Sequence, residues 1–204
     1  MAKVRISQCI LLLNVSYHIH TTDAFIVSTT LRGERNSSLL LLTEELGTLY
    51  AHAQGVRVLQ SKLRPHIIEH ALTRISLVRG KAEWRVVGAE SIARLDRLPS
   101  VPRASLLRLL SLAAHTTVPD DPHTNHFLLI REAYTVLSEA PIAMVPVIEL
   151  LTVLKIVADA GFLPEDPHLS PYLSLPLSLS NAQTFEPLLT HGLSVANNAL
   201  KQIR

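Results

Sequence analysis

The sequence contains a single cysteine, Cys9, among its 204 residues. One thiol can form neither a disulfide framework within the chain nor a cysteine-based zinc site, and such usage fits a reducing compartment. Aromatic residues make up 4% of the chain although 48% of the residues are hydrophobic, so the core must be built from Leu, Val, Ile and Ala. That much apolar material excludes disorder for most of the chain.

Long uninterrupted hydrophobic runs are also missing. The best candidate for a membrane span, residues 141–158, is broken by Pro146, Glu149 and Lys155 and falls short of the ~18 apolar residues required. A short apolar run near the N-terminus follows two basic residues, but no small-residue cleavage site comes after it, which argues against a signal peptide. We interpret residues 1–20 as an N-terminal extension or a first strand.

The motifs of common enzyme classes are absent as well. The sequence has no Gly-rich phosphate loop, no G-x-S-x-G and no H-E-x-x-H. Three histidine pairs have ligand-like spacing, namely His18 and His20, His66 and His70, and His123 and His126. None has an evident third ligand, and Glu44 and Glu45 read as solvated charges beside a turn. The sequence therefore predicts no catalytic centre, no metal and no cofactor.

Positive charge is concentrated in the first half of the chain. Residues 1–90 carry eleven Lys and Arg against seven Asp and Glu, a net charge of +4. Residues 91–204 carry eight against ten, a net charge of −2, and the two halves give the overall +2. An anionic partner is therefore expected on the first half.

Residues 21–95 show the alternation and the turn residues of β-strands. Strand-like runs cover 23–31, 37–45, 48–56, 66–80 and 82–91, with turns at 32–36, Gly47 and Arg79–Lys81. The run 66–80 is long enough for one bent strand or two short ones. Five strands within about 70 residues, joined by short turns, are typical of a small closed barrel.

Residues 100–204 show helical spacing of apolar residues, beyond Pro99 and Pro102. Helices are predicted at 103–116, 127–139, 147–161 and the C-terminus, with a helix-start signal at Asp120–Asp121–Pro122. Helix 147–161 is apolar nearly all round, which predicts the most buried position. Segment 164–187 holds five prolines and is predicted to be extended. The whole pattern predicts an α+β fold, a β-barrel followed by a helical domain.

The candidate basic residues of the first half lie in predicted loops and turns, except Arg74, which lies on the predicted strand 66–80. Arg57, Lys62 and Arg64 share one loop with Ser61. Small barrels bind single strands of nucleic acid through a cationic groove and stacking side chains. Tyr50 and Trp84 are the candidates for stacking, although Trp84 fits the core better because Val86 shares its face of the strand. The predicted contacts are Arg35, Arg57, Lys62, Arg64, Arg74, Arg79 and Lys81, although isolated cations among them also fit ordinary surface charges.

Three stretches of the first half resemble the N-terminal domain of RecO, the bacterial DNA repair and recombination mediator. They are TDAFIVSTTLRGERNSSLLLLTEELGTLYAHAQGVR, SKLR and LTRISLVRGKAEWRVVGAES. The positions that match the family pattern are Gly33, Glu34, Thr43, Gly47, Gly55, Arg57, Ser61, Arg64, Gly80 and Trp84. Two later stretches, LLTVLKIVADAGFLPE and ANNALKQIR, resemble helices of the same family, so the resemblance covers about residues 21–204.

The resemblance implies an OB-fold at 21–95 joined to a helical domain at 100–204, without a catalytic centre. It implies binding of single- and double-stranded DNA, annealing of complementary strands, and cooperation with RecR and with the single-stranded DNA-binding protein, so that the RecA recombinase can be loaded. A cytoplasmic, nucleoid-associated location goes with that role. Many RecO proteins carry four zinc-binding cysteines that this chain lacks, and residues 166–183 replace that module. Zinc is therefore not expected.

Two other kinds of protein fit the same residues. A generic OB-fold protein of RNA metabolism would show the same salt-dependent binding but would prefer RNA. A protein-interaction adapter would act through its helical half and would have negligible affinity for nucleic acid.

Overall fold

The computed structural model describes residues 18–119 and 125–203. The predicted N-terminal extension up to residue 17 and the helix-start signal at 120–122 lie outside the described residues. Within the described ranges the fold is α+β, as predicted, with every strand between residues 19 and 94 and every α-helix from residue 100 onward. The division into separate domains at 21–95 and 100–204 stays a prediction.

The strands form one sheet that closes on itself. They are β1 (Ile19–Arg32), β2 (Asn36–Thr43), β3 (Gly47–Ala53), β4 (Ala71–Arg79) and β5 (Trp84–Arg94), in the spatial order β1-β2-β3-β5-β4. Neighbouring strands are antiparallel except β3 and β5, which pair in parallel. Closure is possible because β1 is long: its first half pairs with β4 and its second half with β2.

Inward-facing residues fill the barrel at the period of two that strands impose. In β3, Leu49 and Ala51 are buried while Tyr50 between them is 59% exposed, as the alternation predicts. Trp84 is also buried, with 9% of its surface exposed, which confirms its predicted core position. The barrel core is aliphatic apart from this residue and includes Ile26, Leu39, Leu41, Leu49, Ile75, Leu77 and Val86.

The helices form a bundle around one central element. They are α1 (Ser100–His115), α2 (His126–Glu139), α3 (Val145–Asp159), α4 (Ser170–Ser174), α5 (Leu179–Phe185) and α6 (Leu189–Leu200). The predicted burial of the third helix is confirmed: α3 packs against α1, α2, α5 and α6, and ten of its residues are buried. Its apolar surface on all sides leaves solvent no favourable face to contact.

The helices pack against the end of the barrel that carries the β2–β3 turn. Phe25 of β1 lies 5.4 Å from Phe127 of α2, measured between ring centroids. Glu44 in the turn pairs with Arg131 of α2 at 2.9 Å. Glu44 therefore lies in a turn as predicted but is not merely a solvated charge. The helices therefore pack on this end, and the β1–β2 and β4–β5 turns lie at the opposite end of the barrel.

The extended conformation predicted for 164–187 is wrong, since the segment contains the short helices α4 and α5. Pro171 occupies the first turn of α4, where the missing backbone N–H costs nothing. At α5 the Ser178 hydroxyl accepts a hydrogen bond from the Asn181 backbone N–H at 3.2 Å and caps the helix. Pro171 and Pro187 lie in the first turns of a helix and a 3-10 helix, and Pro164, Pro167 and Pro176 lie outside the helices, so no proline of the segment interrupts a helix interior.

The long strand predicted at 66–80 is also shortened, because β4 begins at Ala71. Residues 54–70 form a loop that crosses the barrel surface, and the backbone of His70 turns into β4 at a positive φ of 60°. His66 lies in this loop, where its Nδ1 accepts a hydrogen bond from the Ser91 backbone N–H at 3.2 Å. His66 and His70 are therefore loop residues rather than strand residues.

Candidate nucleic-acid interface

The turn between β1 and β2 is bonded to the start of the loop 54–70. The Arg57 guanidinium donates to the Gly33 carbonyl at 3.2 Å, and the Arg57 backbone N–H donates to the Arg35 carbonyl at 3.1 Å. The Gly55 backbone N–H donates to Asn36 Oδ1 at 2.8 Å. Gly33 and Gly55 have φ values of 71° and 65°, a left-handed conformation that glycine adopts without strain. These bonds fix the two turns against each other.

A third turn joins the same end of the barrel. The Arg32 guanidinium at the end of β1 pairs with Glu83 in the β4–β5 turn at 2.6 Å. The hydrogen bond from Arg32 lowers the pKa of Glu83, so this carboxylate stays ionised. We call the surface formed by residues 33–35, 54–64 and 80–83 the basic end. The sequence did not indicate that Arg32 links this turn to the end of β1, because its partner Glu83 is 51 residues away in the chain.

Five of the seven predicted contact residues lie on the basic end. They are Arg35, Arg57, Lys62, Arg64 and Lys81, and all five are exposed. Within residues 18–119 and 125–203, none of these five side chains has a carboxylate partner within ion-pair distance. Their charges are therefore available to an anion. The two acidic residues on this surface are Glu34 and Glu83, and Glu83 is already paired with Arg32.

The other two predicted contacts are placed differently. Arg74 lies on β4 and donates to both carboxylate oxygens of Asp23, at 2.8 and 3.3 Å. This hydrogen bonding raises the pKa of Arg74 and neutralises its charge locally. The Arg79 guanidinium lies 4.9 Å from the centroid of the Trp84 ring, a cation–π contact at the end of β4. The structure therefore does not group Arg74 with the basic end.

Apolar side chains are interspersed with the cations of the loop. Leu59 is 84% exposed and follows Val58, which is 40% exposed. Tyr50 is exposed on β3, so its stacking role stays a prediction, whereas Trp84 is buried. The loop therefore presents an apolar tip among positive charges, a combination that fits a ligand with both charged and apolar parts.

A pocket of about 330 Å³ lies beneath the basic loop. Its walls come from β1, β2 and the loop, and consist of Thr29, Leu31, Ser37, Val56, Arg57, Arg64 and Ile67. The hydroxyl oxygen of Thr29 is buried and has no hydrogen-bond partner among the described residues. Of these lining residues the sequence pointed to Arg57 and Arg64 alone. The others come together only in the folded chain, and no local signal marks them.

The histidines do not assemble a metal site in the described part of the chain, where no cluster of three or more His, Cys, Asp or Glu has suitable geometry. The rings of His18 and His20 lie 4.6 Å apart, and no third ligand lies beside them among the described residues. The family's zinc does not fit the segment 166–183 either, because it has no thiol. There the Lys155 ammonium donates to the Leu173 carbonyl at 2.8 Å, and Asp166 pairs with His191 at 2.7 Å.

None of the helices in the described ranges is long and apolar enough to span a bilayer. The fold and the site define the class of the protein: a small closed barrel that is covered by helices at one end and presents cations at the other. Surfaces of this kind suit an extended polyanion.

No family model matches the chain. Two proteins named DNA repair protein RecO are similar to it. The protein from a strain of Dehalococcoides mccartyi is 40% identical over 115 residues, which are 55% of this chain and 46% of that relative. The protein from Acaryochloris marina is 29% identical over 136 residues, 65% of this chain and 46% of that relative. These relatives support assignment of the chain to the RecO family, which confirms the resemblance. The chain matches less than half of the length of each of these two curated relatives.

Proposed function

We propose that the protein is a non-enzymatic recombination mediator in DNA repair. In this proposal its barrel is an OB-fold that binds single- and double-stranded DNA, and the bound strands are annealed when they are complementary. The observation that carries the proposal is the convergence of three turns on the basic end, with five exposed cations opposite the helical bundle. The names of the relatives, DNA repair protein RecO, favour DNA as the polyanion.

The proposed contacts are phosphate contacts without sequence specificity. Cations on turns follow a backbone but do not reach base edges in a groove, so they position a strand rather than read it. Each phosphate that is neutralised releases condensed counterions, which makes affinity dependent on salt. Two strands held on one cationic surface repel each other less, and this is the physical basis proposed for annealing.

The proposed partners follow from the family. They are RecR and the single-stranded DNA-binding protein, with the RecA recombinase loaded onto the DNA that these proteins expose. The basic end is proposed to hold the DNA, and the helical bundle is proposed to supply protein contacts. A cytoplasmic, nucleoid-associated location is part of the same proposal. Preference for RNA over DNA would instead favour an RNA-binding role for the same surface.

The test is a titration of labelled single-stranded DNA and RNA at several salt concentrations, followed by addition of the complementary strand. Arg57, Lys62 and Arg64 are replaced together by Ala. If each contacts one phosphate, the slope of log affinity against log salt flattens by about 2, at roughly 0.7 per contact on single strands. Annealing slows in parallel. Thermal stability changes little, because exposed charges contribute little to folding.

A matched control removes the same amount of charge elsewhere. Arg97, Arg103 and Lys201 are replaced by Ala, since all three lie outside the basic end. This control is expected to keep the parental salt slope and annealing rate. Equal losses in the two triple variants, or an unchanged slope in the first, would show that the loop 57–64 is not the DNA surface. Arg79, Lys81 and Arg85 of the closing hairpin would then be tested.

A further inference from the structure

The pocket beneath the basic loop differs from the rest of the basic end because its walls are mainly not charged. Leu31, Val56 and Ile67 supply apolar surface, and Thr29 and Ser37 are the uncharged polar residues of the lining. A backbone phosphate needs none of these apolar groups. The pocket therefore suits a ligand with two kinds of group: an apolar, planar or hydrogen-bonding group that enters the pocket, and an anionic group that stays outside it near the arginines.

The two arginines of the pocket place positive charge beside this apolar surface. Arg57 is fixed by its bond to the Gly33 carbonyl, and Arg64 lies on the same loop after a turn closed by its own backbone N–H to the Ser61 carbonyl at 3.2 Å. A prearranged guanidinium loses less side-chain entropy when it binds an anion. Phosphate at this position would bring the attached base over the walls of the pocket.

The size of the pocket limits what can enter. A volume of about 330 Å³ lies at the lower end of pockets that hold small ligands, which start near 300 Å³. This volume accommodates a single nucleotide unit but not a stacked base pair with its two backbones.

From these observations we infer that the pocket receives one unstacked nucleobase of a single strand, while Arg57 and Arg64 hold the adjacent phosphate. The inference rests on the proposed function and deepens it: the cations bind any nucleic-acid backbone, and the pocket adds affinity for unpaired bases. The occupant is a nucleotide within a strand, and its base is bound through its apolar faces without a strict sequence requirement.

The experiment compares an oligothymidylate with an abasic deoxyribose-phosphate strand of equal length and charge. The parental protein is expected to bind the oligothymidylate about tenfold more tightly, an effect at the lower end of that for one base stacked on an aromatic side chain, because the apolar walls of this pocket are aliphatic. Ile67→Trp, which fills the pocket, is expected to reduce this ratio to about one and to leave the salt slope unchanged. Ile142→Trp, at an exposed site on the far helical region, is the matched control and keeps the parental ratio.

A second measurement does not depend on the folding of a variant. Methyl NMR signals of Leu31, Val56 and Ile67 in the parental protein are expected to shift with the oligothymidylate and to stay in place with the abasic strand, whereas the methyl signals of Ile142 respond to neither. Equal affinity for the two strands, or a ratio that Ile67→Trp does not change, overturns the pocket inference while DNA binding stands. No salt-dependent affinity for either strand overturns the proposed function itself.

Discussion

At the scale of single residues, exposure alone does not tell which cations are available to DNA. Arg64 and Arg74 are both exposed arginines of the first half, and both were predicted contacts. Arg74 is bonded to Asp23 at 2.8 Å, whereas Arg64 has no ion-pair partner within the described ranges. An arginine in a two-bond carboxylate pair must give up that pair before it can neutralise a phosphate.

Single substitutions of these two residues should therefore differ. Arg64→Ala is expected to flatten the salt slope of single-stranded DNA binding by about 0.7, the value for one phosphate contact. Arg74→Ala is expected to flatten it by less, because its charge is already neutralised by Asp23. Fluorescence anisotropy titrations at several salt concentrations measure both slopes. A larger effect of Arg74→Ala would show that the DNA path runs along β4 and not across the basic end.

At the scale of elements, a buried lysine holds the segment that contains α4. Lys155 of α3 is 6% exposed, and its ammonium donates to the carbonyl oxygens of Leu173 and Leu175 at 2.8 and 2.5 Å. These carbonyls lie at the end of α4, where backbone acceptors lack helical partners. These hydrogen bonds therefore satisfy carbonyl groups at the end of α4 and link α4 to the central helix α3.

Lys155→Met is expected to lower the free energy of unfolding by about 1–3 kcal/mol, because the Leu173 and Leu175 carbonyls lose a charged donor in part-buried hydrogen bonds. Burial lowers the pKa of Lys155 in the folded chain below its usual value. At pH values between the folded and the unfolded pKa, the unfolded chain therefore binds more protons than the folded chain. Stability from this group therefore rises as pH increases through that window. Chemical denaturation at neutral and at alkaline pH measures both effects. Lys201→Met, at an exposed lysine, should change stability by less than about 0.5 kcal/mol.

At the scale of the whole molecule, the barrel and the helices share a hydrophobic core. Phe25, Leu42 and Leu72 of the strands belong to the same buried cluster as Phe127 and the central helix. A barrel cut away from the helices would expose these side chains to water. The two halves are therefore expected to unfold together, even though their secondary structures differ.

The single tryptophan makes this expectation testable. Trp84 fluorescence reports on the barrel and far-ultraviolet circular dichroism reports mainly on the helices, and their unfolding transitions should coincide. Phe127→Ala should destabilise both by about 3–5 kcal/mol, the usual cost of truncating a buried Phe. Leu193→Ala, at a side chain 46% exposed, serves as the control. Two separate transitions would instead indicate two independent domains.

The sequence by itself determined the order and type of most elements. Alternation in β3, the glycine turns and the apolar helix α3 are local patterns, because strand and helix periods act over a few residues. The extended conformation predicted for 164–187 was wrong, because the prolines were counted without regard to where they lie relative to helix starts. The strand predicted from residue 66 was wrong at 66–70, where the chain forms a loop. Both errors concern segments whose conformation depends on capping or on neighbours distant in the chain.

The loop 54–64 was recognisable from its charges, but its surroundings were decided by the tertiary structure alone. Arg32 meets Glu83 across 51 positions, and Thr29, Ser37 and Ile67 meet in one pocket from three segments. Closure of the barrel also places Arg74 beside Asp23, which neutralises its charge, and leaves Arg64 without an ion-pair partner within the described ranges. Charge and periodicity are properties of short stretches, whereas pairing and pockets depend on which stretches the closed barrel brings together. Sequence therefore identified the cations, and the fold decided which of them form a surface.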